Sequence, residues 1–311
     1  MQYFLQQFIN GLSVGSIYAL IAVGYTMVYG VLQLINFAHG DVFMVGAIVA
    51  LLAARMFGFV TPGGVTESWL AFSLVAFCAI AVCGLLGFTI ERLAYRPLRD
   101  KPRINSLITA IGISLLLEFG GQHRKVFGPT PQSFPVDMLP GIRLPLFTIG
   151  GVSVSRVEAL VLFVTLALMV TLSYIVMRTR TGLALRAVSY RVDTASLMGI
   201  NTNRIISFTF ILGSCLAATA GILYAVKYPS VQPLMGLLPG VKAFIAAVFG
   251  GIGNITGAVV GGLVLGLVEV LVVGYVPSGS QYRDGIAFVI LIAILLVKPS
   301  GLFGRHVAEK V

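Results

Sequence analysis

The chain has 311 residues, 58% of them hydrophobic and only 10% charged, with a formal net charge of +10 and a mean hydropathy of +0.98. A soluble domain carries about 25% charged residues, so a chain this apolar could not cover its own surface, and the composition indicates an integral membrane protein. The positive charge does not indicate nucleic acid, because the Lys and Arg residues sit in short stretches between apolar runs and no basic recognition motif occurs.

From Met1 to His39 there is no Asp, Glu, Lys or Arg. At ~1.5 Å per helical residue that run exceeds one crossing of a ~30 Å hydrocarbon core. No basic stretch precedes it, the first cation being Arg55, so a cleaved leader is not expected. Apolar segments follow at Phe8–Gly30, Asp41–Phe57, Trp69–Ile90, Ile104–Phe119, Val157–Met177, Ile205–Tyr224, Val241–Gly253, Gly257–Tyr275 and Gly285–Val297. Leu160 to Val170 and Phe288 to Val297 are apolar on every face, which excludes the alternation of a membrane β-barrel. The expected fold is an all-α polytopic membrane protein of about eight or nine transmembrane helices, forming a single transmembrane domain over 1–311. Cys78, Cys83 and Cys215 all fall inside apolar spans without a Cys-x-x-Cys pair and read as small packing residues.

Charge counting sets the orientation. Stretch Arg92–Arg103 holds five cations, stretch Arg178–Arg204 holds five, and the tail holds Lys298, Arg305 and Lys310. The positive-inside rule puts all three in the cytoplasm. Parity then requires that Val241–Tyr275 cross twice, or dip in and return, around Gly250–Asn254. It also puts the N-terminus outside and the C-terminus in the cytoplasm. The Pro- and Gly-rich connection 120–156 becomes an external, mostly irregular cap. Gly40…Gly46-Ala47 and Gly253…Gly257-Ala258 admit an inverted repeat of two halves.

Several chemistries are missing. There is no Gly-x-x-x-x-Gly-Lys-Ser/Thr phosphate loop, no His-Glu-x-x-His and no Gly-x-Ser-x-Gly, and the three histidines (His39, His123, His306) are far apart. No catalytic residues, metal ligands or cofactors are expected. Glu269 is the clear acidic residue within a span. A structural ion pair, with Lys242 or Arg283 as partner, is favoured over a proton relay.

Three constellations remain. The stretch 178–204 alternates Leu183, Leu185, Val188, Ala195, Leu197 and Ile200 with Arg and polar residues, which suits a short amphipathic surface helix followed by a second one. Asp193 falls near the start of that second helix, where its dipole favours a carboxylate, and Gly199 suits a C-terminal stop. Asn36-Phe37-Ala38-His39-Gly40-Asp41 reads either as a broken helix start lining a pathway or as a surface loop, with Asp41 favoured as a helix N-cap. The run Gly250 to Ala258 reads as close helix packing or as a tight turn that exposes backbone to a pathway. Asn36, His39, Gly253 and Asn254 are therefore the candidate translocation-path residues.

Together these stretches resemble a family. Asn36 to Ala47, Glu91 to Arg99, Thr109 to Gly112, Ala195 to Thr202, Lys242-Ala243-Phe244 with Gly250 to Gly253, and Pro299 to Gly304 look like the signature of branched-chain amino acid importer permeases, in particular the H-type membrane subunit. The resemblance runs over nearly the whole chain and departs at Gly120–Arg156 and at Ser189 to Val192. It implies a bacterial inner-membrane, multi-pass permease of an ATP-binding-cassette importer. Its partners would be an M-type permease, two ABC ATPase chains and a periplasmic substrate-binding protein. The acidic-small-Ala-x-x-x-Gly spacing at Asp193 to Gly199 resembles the loop with which such permeases grip the ATPase, and so implies a coupling element of Arg186, Asp193, Ala195, Leu197 and Gly199. Urea and short-amide importers have similar permeases. A gradient-driven carrier or channel working alone is the rival of another class.

Overall fold

The computed structural model describes residues 1–304 apart from 35, 62, 100, 150 and 299, so the tail cations Arg305 and Lys310, and Pro299 of the family signature, lie outside the described residues. Eleven α-helices are described: α1 Gln2–Leu32, α2 His39–Met56, α3 Trp69–Ile90, α4 Arg103–Gln122, α5 Arg156–Arg178, α6 Arg180–Tyr190, α7 Val192–Leu197, α8 Thr202–Lys227, α9 Leu237–Gly250, α10 Ile255–Tyr275 and α11 Gly279–Val297. Eight of them (α1 to α5, α8, α10 and α11) are long and apolar enough to cross a membrane. Hydrocarbon offers no partner to a peptide group, so apolar runs of this length satisfy their backbone as helices. Polar residues mark several starts. Ser68, Ser155, Asn201 and Asn254 each accept an N–H from the first turn of α3, α5, α8 and α10. Ser155 and Glu158 complete a capping box.

Two faces emerge from the contacts. On one, a π-helical turn Glu91–Tyr95 extends α3. There Arg99 donates to Asn203 (2.6 Å) and Glu91 accepts from Ser207, so the two basic stretches 92–103 and 178–204 share a side. On the other, Ser133 pairs with Ser230, Arg55 donates to Gln132 (2.6 Å) and Ser153 donates its N–H to Gln6 (3.0 Å). That face gathers the start of α1, the end of α2 and the connection 123–155, which carries two short paired strands, Pro145–Ile149 and Val152–Ser155.

α2 and α9 both begin inside the fold. The described residues between Leu32 and His39 are not helical, and the chain turns back inward there. The His39 ring lies against Gly24 of α1, eight residues and about 12 Å from the end of that helix. On the other side α8 ends at Lys227 and the chain descends through Ser230–Val231 to the start of α9. The two starts meet: a Cβ on Gly40 would lie 2.8 Å from the Gly236 carbonyl oxygen and 3.0 Å from Gly240 Cα. Only glycine lets the two backbones come this close.

This places the repeat differently from the glycine spacing. A long helix, a break, a short helix, a reversal and a second long helix occur twice, as α1–α2–α3 and α8–α9–α10. α1 packs on α9 and α10 as α8 packs on α2 and α3. Within this arrangement Gly40 corresponds to the start of α9, not to Gly253, which sits in the turn after it. Asp41 is also not a helix cap. Ala38 is the N-cap residue, with helical φ and ψ and no side-chain cap, so Asp41 falls in the first turn and its carboxylate turns to Ser114 of α4.

The reversal expected at Gly250–Asn254 is present. α9 has 14 residues, about 21 Å of helix and too short for a full crossing by itself. The chain returns in α10, and Asn254 caps that helix while its amide donates to the Phe303 carbonyl (3.2 Å). The N–H groups of Leu302 and Phe303 close on the carbonyls of Phe249 (2.9 Å) and Gly250 (3.0 Å), the last of α9.

α1 and α10 are antiparallel and nearly touch. A Cβ on Gly262 would stand 2.5 Å from Ala19 Cα, the close approach that small residues allow in membranes. Gly262→Leu is expected to destabilise the purified protein by about 1–3 kcal/mol or more through overpacking. Gly112→Leu on α4, where a Cβ meets nothing within 4 Å, is expected to be near neutral. Thermal unfolding of the two variants in the same detergent checks this.

Candidate functional site

Where the two interior helix starts meet, a cavity of about 270 Å³ opens between α2, α4, α9 and α11. Its walls are mostly apolar: Phe37, Val241, Phe244, Ile245 and Leu291, with Tyr25 of α1. Its polar residues are Asp41, which accepts a hydrogen bond from Ser114, and Glu118 of α4. Asp41 is 2% exposed and Glu118 6%. The two carboxyls are close enough to interact with each other, and Glu118 Oε1 is buried with no hydrogen-bond partner. Acidic side chains at membrane depth are costly and mark pathways or pairs. Glu118 is the residue the sequence reading passed over. Its signal was available, a glutamate within the apolar run Ile104–Phe119.

The four candidate path residues fall in two places. Asn36 accepts from the Tyr95 hydroxyl (3.0 Å) and is buried. His39 is buried against the Tyr25 ring, 4.7 Å between centroids, and its Nε2 has no partner. Both belong to the stretch that supplies Phe37, Gly40 and Asp41 to the cavity, but neither lines it. Gly253 and Asn254 lie in the turn between α9 and α10 and do not line it. Gly253 has φ +93°, in the region that favours glycine.

Glu269 sits among partners from three helices. Lys242 of α9 donates to its Oε2 (3.1 Å), Tyr18 of α1 donates to the same oxygen (3.0 Å), and Arg283 of α11 pairs with its Oε1. Lys242 also meets Asp284 (2.6 Å). Both partners named from the sequence are therefore present at once. A second buried acid, Glu91, is 0% exposed and is held by Arg99 and Ser207.

The stretch 178–204 folds as the two short helices expected. α6 turns Gly182, Leu185 and Val188 inward, an i, i+3, i+6 face. α7 buries only Ala195, whose carbonyl accepts from the Ile200 N–H (3.1 Å). Asp193 is in the first turn of α7, and Gly199, two residues past its end, has φ +81°. Arg186 and Asp193 are exposed. So are Leu183, Tyr190, Leu197 and Met198, with Leu197 at 88%. This apolar surface lies beyond the membrane helices on the basic face, and no described residue buries it.

Glu269→Ala would leave Lys242 and Arg283 without their shared acid. Removing one partner of a buried pair costs about 3–5 kcal/mol. A marked fall in thermal stability is expected, smaller for Glu269→Gln, which keeps an acceptor for Tyr18 and Lys242. Unfolding of both variants in detergent measures the difference.

The comparisons with known proteins agree along the full length. The family described as "Branched-chain amino acid transport system / permease component" matches residues 7–295. The "high-affinity branched-chain amino acid transport system permease protein LivH" of Salmonella typhimurium is 42% identical, over 99% of this chain and 98% of its own. The corresponding permease protein BraD of Pseudomonas aeruginosa is 43% identical over the same shares. Among solved structures, PsaBC from Streptococcus pneumoniae in complex with Fab aligns over 97% of this chain and 94% of its own, at 12% identity and a TM-score of 0.47. Matched by the family model over residues 7–295 and by LivH and BraD over 99% of its length, this multi-pass helical chain belongs to the permease component family of branched-chain amino acid transport systems.

Proposed function

We propose that the protein is the membrane subunit through which an ATP-driven importer passes leucine, isoleucine and valine. An external binding protein delivers the amino acid, and separate ATPase chains supply the energy. Full-length identity of 42–43% to permeases named for high-affinity branched-chain amino acid transport supports the substrate class. The basic residues of 92–103 and 178–204 on one face support a cytoplasmic position for that face. The N-terminus is then external, and the membrane is the bacterial inner membrane. The second permease is an M-type chain, and α4 and α11, which leave most of their surface outside the fold, are available to it.

The observation that carries the coupling role is the exposed apolar surface of α6 and α7. Leu183, Tyr190, Leu197 and Met198 stand in water on a surface that also presents Arg186 and Asp193. Exposed apolar groups clustered within a polar rim mark protein contacts. An ATPase groove would bury them. α6 is tied to α5 by Gly182, which packs on the last turn of that helix, so motion of the docked element is handed directly to a membrane span. Ala195 and Gly199 shape the element: one anchors α7 inward, the other ends it with a turn that leaves Leu197 projecting.

Leu197→Asp with Met198→Asp is expected to leave folding within about ±0.5 kcal/mol, as for surface changes, and to abolish co-purification of the ATPase chains and leucine uptake. A mild-detergent pull-down from native cells measures the first and uptake in the same cells the second. ATPase chains recovered in wild-type amounts with the double variant would refute the coupling assignment.

A further inference from the structure

We propose that the cavity between α2, α4, α9 and α11 is the transit site for the amino acid within this subunit, with Asp41 and Glu118 receiving its ammonium group. The inference rests on the importer reading above and names the place in this chain where the substrate is held.

Three observations converge on one point. The first is shape: about 270 Å³, just below the ~300–1,000 Å³ usual for small-ligand clefts. The second is polarity. Phe37, Phe244 and Leu291 form an apolar side that would take an alkyl chain, and two carboxyls stand on the wall beside it. The third is an unmet demand. Glu118 is more than nine-tenths buried, lines the cavity, and keeps Oε1 without any hydrogen-bond partner. No described Lys or Arg lines the cavity. Asp41 and Glu118 lie within hydrogen-bond reach of each other, and Glu118 Oε1 remains the buried acceptor still open to a cationic donor from whatever enters. An α-ammonium is such a donor.

The other end of the substrate also has a place. The first turn of α9 opens on the cavity at Gly236 and Leu237. The Leu237 N–H is already bonded to the Leu234 carbonyl (3.3 Å) and Pro239 has no N–H, so what this helix start offers a carboxylate is chiefly the partial positive charge of its dipole. The arrangement fits a zwitterion with an apolar side chain. A urea or short amide has no charge to offer the carboxyls, and a free metal cation makes no use of the aromatic and aliphatic walls.

The test uses the complete transporter, with its ATPases and binding protein, in proteoliposomes supplied with labelled leucine. Two variants are compared with wild type: Glu118→Gln, which removes the charge, and Leu291→Trp, which fills the cavity without touching a carboxyl. Both are expected to lower leucine uptake about tenfold or more, as expected for a lost charge-assisted contact or a blocked site, while ATP hydrolysis stays within about twofold. Wild-type uptake by either assembled variant overturns the site. If Glu118→Gln fails to assemble, Leu291→Trp decides alone. A wild-type complex that hydrolyses ATP and carries no leucine overturns the importer reading itself, and the site falls with it. That result is distinct from a wild type that transports and variants that do so equally well.

Discussion

Inside hydrocarbon a free peptide N–H or carbonyl has no partner, and each one costs several kcal/mol. This chain nevertheless interrupts its helices twice at membrane depth, before His39 and before Leu237. The remainder of the fold can be understood as shelter for those two interruptions. α1 and α8, the longest of the helices ahead of each break, lie beside each other at the centre, and the short helices that follow are wrapped by them. The peripheral spans α4, α5 and α11 keep most of their surface outward. Broken backbone is tolerated because it faces protein and a cavity, which is where membrane proteins allow it.

Burying the breaks concentrates charge at two depths. Glu269 ties α10 to α1, α9 and α11 through Tyr18, Lys242 and Arg283. Glu91 ties the C-terminal end of α3 to α8 and to the following basic turn. Each acid is surrounded by donors, so each acts as a rivet between helices that are far apart in sequence. Asp41 and Glu118 differ in kind. They face each other and a cavity, and Ser114 donates to Asp41. A pair left short of donors is a poor rivet and a good receptor for a cation.

The spans were legible because a sequence apolar on every face has one stable form in lipid. Trp69–Ile90 coincides with α3 to the residue, and the short surface helices were readable from alternating Leu and Arg in 178–204. The failures share a cause. Whether Asp41 caps its own helix or bonds to Ser114 depends on a residue 73 positions away, and local spacing carries no trace of it. The equivalence of Gly40 with the start of α9 was hidden because glycine is frequent (36 residues) and only the crossing of two backbones distinguishes one from another. Glu118 was visible as a letter, but the burial of its Oε1 away from any donor is a property of the folded molecule.

The strap at the end of the chain has a consequence for how the protein is made. The last carbonyls of α9 are met by the N–H groups of Leu302 and Phe303, and the Phe303 carbonyl is held by Asn254. α1 likewise finds its main neighbour, α10, some 251 residues downstream, where Tyr18 meets Glu269. During synthesis the first helix therefore waits in the bilayer until almost everything else has left the ribosome. The α9–α10 reversal stays unlatched until Leu302 and Phe303 arrive. The centre of the molecule is the last part to close, and a truncated nascent chain presents an open, polar interior to whatever insertion machinery and quality control attend it.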